Sequence, residues 1–438
     1  MVFCRGKAAA GRSSPPAWRK PLVLAVFTAA ACPLARAEPA PLTLAQAQAL
    51  ALQRNADFRV AQAQVQAALA QLRTVREYPN PTLGLSTAKI ATDGTPQGTP
   101  LGNGLLDRSY DSIVSLSQLF PIAKRGLQRD AATAGVATAE FQRDDAKRLL
   151  LQAVTQSYEG ALAALKEAEV LTNSAAKLRH EAEIAAERLR AGDLSASDEA
   201  QLDIAADQDE LGAETQRATA KTAVITLEIL LGESRPDGTT PLADNLDSWN
   251  VGVPDELEIA PVGQRPDIAA AESAVKQSEA NVTLQQRQRI PDLTASVQYE
   301  RNPPTLTNTV GFGVSLPLPF WDHFNGEILS AKAARTQAQA ELDKTRIQAS
   351  ADVAAARIAF HEAAQRARRY QASLVPKSAM VVQSVTYAFG KGGATLLDLL
   401  EAERNDNTIR LGAVQAQADA ASAASALLAA LGRLGEPR

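Results

Sequence analysis

Two acids three residues apart, Asp398 and Glu401, carry the most pointed chemistry in this sequence. They lie in GGATLLDLLEAE, Gly392 to Glu403, on one face of a predicted helix and one turn apart. Carboxylates so placed could line a cation path, or simply favour the positive end of a helix dipole. The stretch is written twice. GDLSASDEAQLD, Gly192 to Asp203, opens on glycine and matches Ser195 to Thr395 and Asp198 to Asp398, at an offset of 200. Ser195-x-x-Asp198 and Thr395-x-x-Asp398 both have capping-box spacing, with Asp in place of the usual Glu or Gln. Gly192 and Gly392 suit a preceding turn that needs positive φ. Only the second copy adds a further acid, because the counterpart of Glu401 is Gln201.

Other chemistry is thin. The three histidines, His180, His323 and His361, are far apart in sequence, and none belongs to an HxxxH or CxxC ligand pattern. Asp322-His323 sits at a strand-to-helix junction and reads as a turn and helix start. There is no Walker sequence and no GxSxG. The expectation is a protein that is not an enzyme, with no metal site and no cofactor.

The N-terminus reads as an export signal over residues 1–37. Arg5, Lys7, Arg12, Arg19 and Lys20 precede an apolar run from Leu22 to Ala31, and Ala35-Arg36-Ala37 offers a cleavage site. Cys32 offers lipoprotein processing as a second route. Six of the 45 basic residues and none of the 49 acidic ones fall in that leader, so the chain without it carries a net −10. Such a charge argues against a nucleic-acid partner. Both cysteines, Cys4 and Cys32, leave with the leader, and no disulfide framework remains. No later run approaches 18 apolar residues, so entry into a membrane would require β-strands.

The elements that must position Asp398 and Glu401 are themselves duplicated. NADFRVAQAQVQAALAQLRTVREYPNPTL (55–83) matches RPDIAAAESAVKQSEANVTLQQRQRIPDL (265–293), and SLSQLFPIAKRG (115–126) matches SLPLPFWDHFNG (315–326). The expected organisation is a first repeat over 38–231, a linker over 232–262, a second repeat over 263–432 and a tail over 433–438. Each repeat reads as a helix, two strands, a very long helix, a tight turn and another helix. The long helices are expected near 122–190 and 324–388, each about 100 Å long. Leu171, Ala175, Leu178, Ala182, Ala185 and Leu189 step in the 4–3 rhythm of a left-handed coil. Val154, Tyr158, Ala161, Leu165 and Ala168 do the same upstream. Aromatics are only 4% of the chain, so close packing through alanine must replace a bulky core.

Strands are expected near 81–90, 110–120, 292–301 and 309–318. Val310, Phe312, Val314, Leu316 and Leu318 alternate with small or polar residues. Ten residues with one apolar face suit a tilted membrane strand, and equally an ordinary hairpin packed on a domain. Four strands cannot close a membrane barrel alone, so a spanning sheet would need several chains.

With these residues in view, the chain resembles the TolC-like outer-membrane efflux channels. The resemblance spans about 43–432. It rests on the duplicated layout, on QRPDIAAAESAV (264–275) and on FGKGGATLLDLLEAE (389–403). SLPLPFWDHFNGEI (315–328) is most similar to the heavy-metal branch, the CzcC-type channels of cobalt–zinc–cadmium pumps. The resemblance implies a mainly α fold with a membrane β-barrel portion, in which a homotrimer closes a 12-stranded barrel above an α-helical tunnel across the periplasm. It further implies three partners: a periplasmic adaptor (membrane fusion) protein, an inner-membrane proton-driven pump of the RND type, and the lipid of the outer membrane. Asp398 and Glu401 match the acidic pair that faces the closed pore. Phe389 and Ala394 stand where a better-known relative has a locking Tyr and Arg, which leaves Phe389, Leu396, Leu397, Leu399 and Leu400 to hold the closed state. Gly192, Leu194 and Ser195, with Gly390, Gly392, Gly393, Ala394 and Thr395, fall at the tips expected to meet the adaptor. Two other functions stay open: a channel for multidrug efflux or type I secretion, and a periplasmic coiled-coil adaptor or scaffold. The whole-chain duplication argues against the scaffold.

Overall fold

The computed structural model describes residues 41–88, 111–246, 265–302 and 307–433. The expected leader with Cys4 and Cys32, the tail from 434 onward and residues 247–262 of the expected linker lie outside them, as do 89, 90 and 110 of the expected strands.

Helix α1 (Leu44–Arg54) starts at a capping box between Thr43 and Gln46. Asn55 both ends it and starts α2 (Ala56–Arg76). Its Oδ1 accepts from the Phe58 amide at 3.1 Å, and its Nδ2 donates to the Leu230 carbonyl at 3.0 Å. Strands β1 (Thr82–Ala88) and β2 (Asp111–Phe120) follow, then α3 (Arg125–Ala191) of 67 residues and α4 (Ala196–Leu230). The same order recurs with α5 (Pro266–Arg287), β3 (Leu293–Asn302), β4 (Thr307–Ser315), α6 (Asn325–Arg369), α7 (Val375–Gly390) and α8 (Leu396–Ala430).

The second long helix is not continuous. A π-helical turn, Tyr370–Leu374, separates α6 from α7. Pro376, in the first turn of α7, has no N–H for the preceding turn, and the wider π turn accommodates the missing bond. Tyr370 then projects onto α8 at Gly412, where a Cβ would come within 2.7 Å of its hydroxyl.

Alanine packing governs the long helices. Ala175, Leu178, Ala182 and Ala185 are buried along α3, as the 4–3 spacing requires. Upstream, Val154, Tyr158, Ala161 and Ala168 are buried, but Leu165 faces outward, and Leu162 and Ala164 take its place. Helix α3 packs against α2, α4, α5 and α8; α6 packs against α5 and α8; α7 packs against α8. This order leaves α2 and α4 along one side of the chain and α6 and α7 along the other.

The four strands form one antiparallel sheet in the order β1-β2-β3-β4. Its register sorts the side chains. Leu85, Val114, Tyr299 and Val310 form one cross-strand row, and Leu83, Leu116, Val297 and Phe312 another on the same face. Phe312 is 83% exposed in the single chain. The other face carries Gly84, Ser115, Gln298 and Gly311, then Thr82, Ser117, Ser296 and Gly313. One face is apolar and the other small or polar, as the period of two demands.

The described part of the expected linker is tied down. Leu42 pairs with Leu242 in a short parallel bridge. The buried Tyr158 hydroxyl lies 2.7 Å from the Leu42 carbonyl and 2.8 Å from Asp244 Oδ2. Burial and the Asp244 carboxylate hold that phenol above its ordinary value. The buried Glu228 accepts from the amides of Asp237 at 2.8 Å and Gly238 at 2.9 Å, and from Thr240 Oγ1 at 2.6 Å. Bonds to a charged acceptor contribute about 1.5–3 kcal/mol each. Glu228→Ala is therefore expected to speed hydrogen exchange at Asp237, Gly238 and Thr240 about ten- to hundredfold. Glu228→Gln, which keeps one acceptor oxygen, should fall between, with the α3 interior unchanged.

Candidate functional site

The two repeated motifs form neighbouring turns at one end of the long helices. In the first, the amide of Asp193 donates to the Arg188 carbonyl at 2.9 Å and that of Gly192 to Leu189 at 3.0 Å. In the second, Gly393 donates to Ala388 at 2.8 Å and Gly392 to Phe389 at 3.1 Å. Gly192 (φ 82°) and Gly392 (φ 75°) occupy the left-handed region that closes such helix ends. Nothing lies within 4 Å of the position a Cβ would take at Gly192, Gly390 or Gly392, so these turns present open backbone.

The caps differ. Ser195 Oγ accepts from the Asp198 amide at 3.1 Å, and the reciprocal bond is not formed. Thr395 and Asp398 make the full box: Asp398 N donates to Thr395 Oγ1 at 3.2 Å, and Asp398 Oδ2 accepts from Thr395 N at 2.8 Å and Thr395 Oγ1 at 2.6 Å. The hydroxyl and amide of Thr395 hold the Asp398 carboxyl below its ordinary value. In the single chain Asp398 is thus occupied by its own helix start. Glu401 is exposed and, among the described residues, has no hydrogen bond or ion pair.

An apolar cluster joins the tips. Leu178, Ala182 and Ala185 of α3, Leu202, Ala205 and Ala206 of α4, and Leu396 and Leu400 of α8 pack together, with Leu194 and Phe389 against them. Leu399 is also buried, whereas Leu397 is 71% exposed and leaves the packing to the other three leucines. Ala394 is half-buried at the second turn. The sequence reading missed Arg188. Its guanidinium lies 5.6 Å from the Phe389 ring centre and donates a long bond, 3.4 Å, to the Gly390 carbonyl. A cation in the last turn of α3, facing the C-terminal dipole, was the available signal.

Two acids further along α8 were also missed. Asp406, 2% exposed, accepts from Ser378 Oγ at 2.6 Å and Arg410 Nε at 2.6 Å, which ties α7 to α8. Glu403 is buried beside α3, and burial raises its carboxyl above the ordinary value.

At the sheet end, Phe320 and Trp321 meet edge to face, and Trp321 is 93% exposed. They sit just beyond the apolar face of β4, before α6. Lys124, buried at the start of α3, pairs with Asp292 at 3.0 Å and fixes the strand-to-helix junction.

A family model described as "Outer membrane efflux protein" matches residues 48–233 and 262–433. The chain belongs to that family. It is a subunit of an outer-membrane efflux channel that extends into the periplasm, and it is not an enzyme. The chain is 25% identical over 365 residues to the cobalt-zinc-cadmium resistance protein CzcC of Cupriavidus metallidurans, covering 83% of this chain and 84% of that one. It is 26% identical over 395 residues to the pyoverdine export outer membrane protein OpmQ of Pseudomonas aeruginosa, covering 85% and 80%. The solved CmeC outer membrane channel of Campylobacter jejuni superposes with a TM-score of 0.74 at 20% identity, covering 90% of this chain and 87% of that one. This likeness shows the fold: mainly long helices with a small membrane sheet, the architecture of TolC-like channels.

The two tips are expected to differ in firmness. Thr395→Ala removes a reciprocal cap and should raise hydrogen exchange in the first turn of α8 about fivefold, with a smaller effect for Ser195→Ala at α4. Because Asp398 is lowered from an ordinary 3.8, its capping contribution is complete above that value. It is lost only as pH falls through the lower folded value. First-turn protection should therefore be flat between about pH 5 and 8.

Proposed function

We propose that three copies of this chain close one channel, the outer-membrane part of a three-component system with a periplasmic adaptor and an inner-membrane proton-driven RND pump. Its cargo is heavy-metal cations such as cobalt, zinc or cadmium. The sheet carries the reading. Its apolar face demands lipid, yet β1 and β4 leave edges without a partner among the described residues, and hydrocarbon does not tolerate open edges. Joining the β4 edge of one copy to the β1 edge of the next satisfies both, and three copies give 12 strands. The helices agree with this closure. The side under β4 (α6, α7) exposes Ile347, Ile358 and Met380, and the side bearing α2 and α4 exposes Val60, Ile204 and Leu211. Trp321 and Phe320 suit the interface of the inner leaflet.

The tips would then gather around the axis. Glu401, free of the cap, and Asp398 form the acidic part of the gate, and Phe389 with its leucine cluster forms the apolar part. Gly192, Leu194, Ser195, Gly390, Gly392, Gly393, Ala394 and Thr395 form the adaptor-facing turns, with open backbone at Gly192, Gly390 and Gly392. The relatives include a metal-resistance protein and a pyoverdine exporter. Three copies of an acidic pair would favour cations over an anionic siderophore, which supports the metal reading.

Glu401→Gln leaves the α8 cap intact, so it tests the ring without unfolding the tip. Cation selectivity and block by divalent cations in planar bilayers should fall about two- to fivefold. Unchanged values would place Glu401 outside the pore. Restoring cobalt, zinc or cadmium resistance to a strain lacking its own channel supports the metal cargo. Restoring only pyoverdine export refutes it.

A further inference from the structure

At the base of the sheet, the ends of α2 and α5 flank the start of α3 around a cavity of about 750 Å³. Leu119 lines it, and Leu119 follows Ser115 and Ser117 on the small, polar face of β2. The cavity therefore lies on the side away from the apolar rows. Six side-chain carboxamides gather on it: Gln71, Asn80, Gln128, Gln277, Asn281 and Gln288. Among the described residues, none of these six side chains has a hydrogen bond. Gln277 has a place made for it, since a Cβ at Gly135 of α3 would stand 3.0 Å from its Nε2. Bulk water satisfies exposed carboxamides, but it does not account for their gathering from three helices and a turn on one cavity.

One charge in the cavity lacks a counter-charge. Lys124 is paired with Asp292 at 3.0 Å, and Glu77 lies 3.6 Å from Arg73. The Arg125 guanidinium has no carboxylate partner among the described residues. It lies 3.5 Å from the centre of the Tyr78 ring, and its Nη2 donates to the Arg76 carbonyl at 2.7 Å. Stacking and tether orient the group before any ligand arrives. The guanidinium donors left over match a carboxylate. Each carboxamide offers a donor and an acceptor, the two partners that a hydroxyl group needs. Both carboxylates of the lining are already engaged. Among the described residues no three His, Cys, Asp or Glu side chains gather as metal ligands, which disfavours a bare metal ion here.

We propose that this cavity binds a small hydroxylated carboxylate, the chemistry of a sugar acid, with Arg125 holding the carboxylate and the carboxamides, Gln277 foremost, holding the hydroxyls. The volume suits a small molecule, for which sites of about 300–1,000 Å³ are usual. The inference rests on the closed-barrel reading, in which the polar face of the sheet lines the lumen and one such cavity per chain rings the passage below the strands. Acidic tips repel anions, so this ligand enters from the barrel end.

The test measures binding of radiolabelled gluconate to purified full-length trimers by equilibrium dialysis. Acetate, which lacks the hydroxyls, and glucose, which lacks the charge, are the comparison probes. Wild-type trimers should bind gluconate saturably, at one site per chain, about tenfold more tightly than either. Arg125→Gln should weaken gluconate about tenfold and leave glucose unchanged. Gln277→Leu, close in volume, should weaken gluconate about threefold and leave acetate unchanged. Arg125→Lys, which keeps the charge without the flat fork, should fall between wild type and Arg125→Gln, and it stands in if the latter does not assemble. Equal affinity for acetate and gluconate reduces the site to a plain anion contact and overturns the inference. Equal affinity for glucose and gluconate removes the role of Arg125 and overturns it too. Trimers that conduct in planar bilayers but bind no gluconate overturn this inference alone. Chains that neither trimerise nor conduct overturn the closed barrel, and this inference with it.

Discussion

Everything in this chain follows from a sheet that cannot stand alone. A backbone in hydrocarbon must find all its hydrogen bonds within protein, because an unsatisfied amide or carbonyl costs several kcal/mol there. The β1–β4 sheet meets that demand internally and, among the described residues, leaves its two edges without a partner. Its apolar rows, Leu85–Val114–Tyr299–Val310 and Leu83–Leu116–Val297–Phe312, leave no soluble alternative for the face they cover. The fold therefore supplies a wedge of a barrel. The duplication is an economical way to build such a wedge: two hairpins, each delivered by one helix and drained by another.

Length is the second constraint. A helix of 67 residues has far more surface than its few large side chains can cover, and its stability must come from neighbours. Alanine meets this by letting helix axes approach closely on several sides, as at Ala161, Ala168, Ala175 and Ala182 of α3. Where a wider side chain intervenes, the partner yields, as Gly412 does to Tyr370. Polar ties then fix the sliding that featureless alanine seams would permit. Ser378 and Arg410 converge on Asp406, and Asn407 reaches Ser174 and lies 3.4 Å from Asp209 Oδ2 across three helices.

How far the sequence reveals this depends on the contrast between residues. Strand β4 was legible because Val310, Phe312 and Val314 alternate with glycine, serine and threonine. The tip turns were legible because Gly192 and Gly392 must take positive φ, and because Ser195 and Thr395 are capping residues at fixed spacing. The α3 seam was legible at its alanines and Leu178, but Leu171 and Leu189 are only half-buried and Leu165 faces outward, because neighbouring alanines serve equally well as the inward side. In α8 the same ambiguity is complete. Residues 401–407 are almost all polar, so periodicity does not show that Glu403 and Asp406 turn inward while Glu401 turns out. The π turn had a signal in Pro376, but a proline allows a kink, a break or a wider turn, and the packing of Tyr370 on α8 decides among them.

The first three acids of α8 show how position rather than type assigns surroundings. Asp398 holds the helix start through Thr395, and its lowered proton affinity keeps it charged there. Glu401, one turn on, is exposed, and its side chain has no hydrogen bond or ion pair among the described residues. Glu403 lies a further half turn around, against α3, where burial disfavours the same charge that Asp398 keeps. Cap, open carboxylate and buried carboxylate thus follow within six residues. The first copy of the motif has the cap at Ser195 but Gln201 in place of the free acid. The two turns thus share a backbone course and a capping residue but not their side chains: Ser195 makes half a box where Thr395 makes a whole one, and Gln201 stands opposite Glu401.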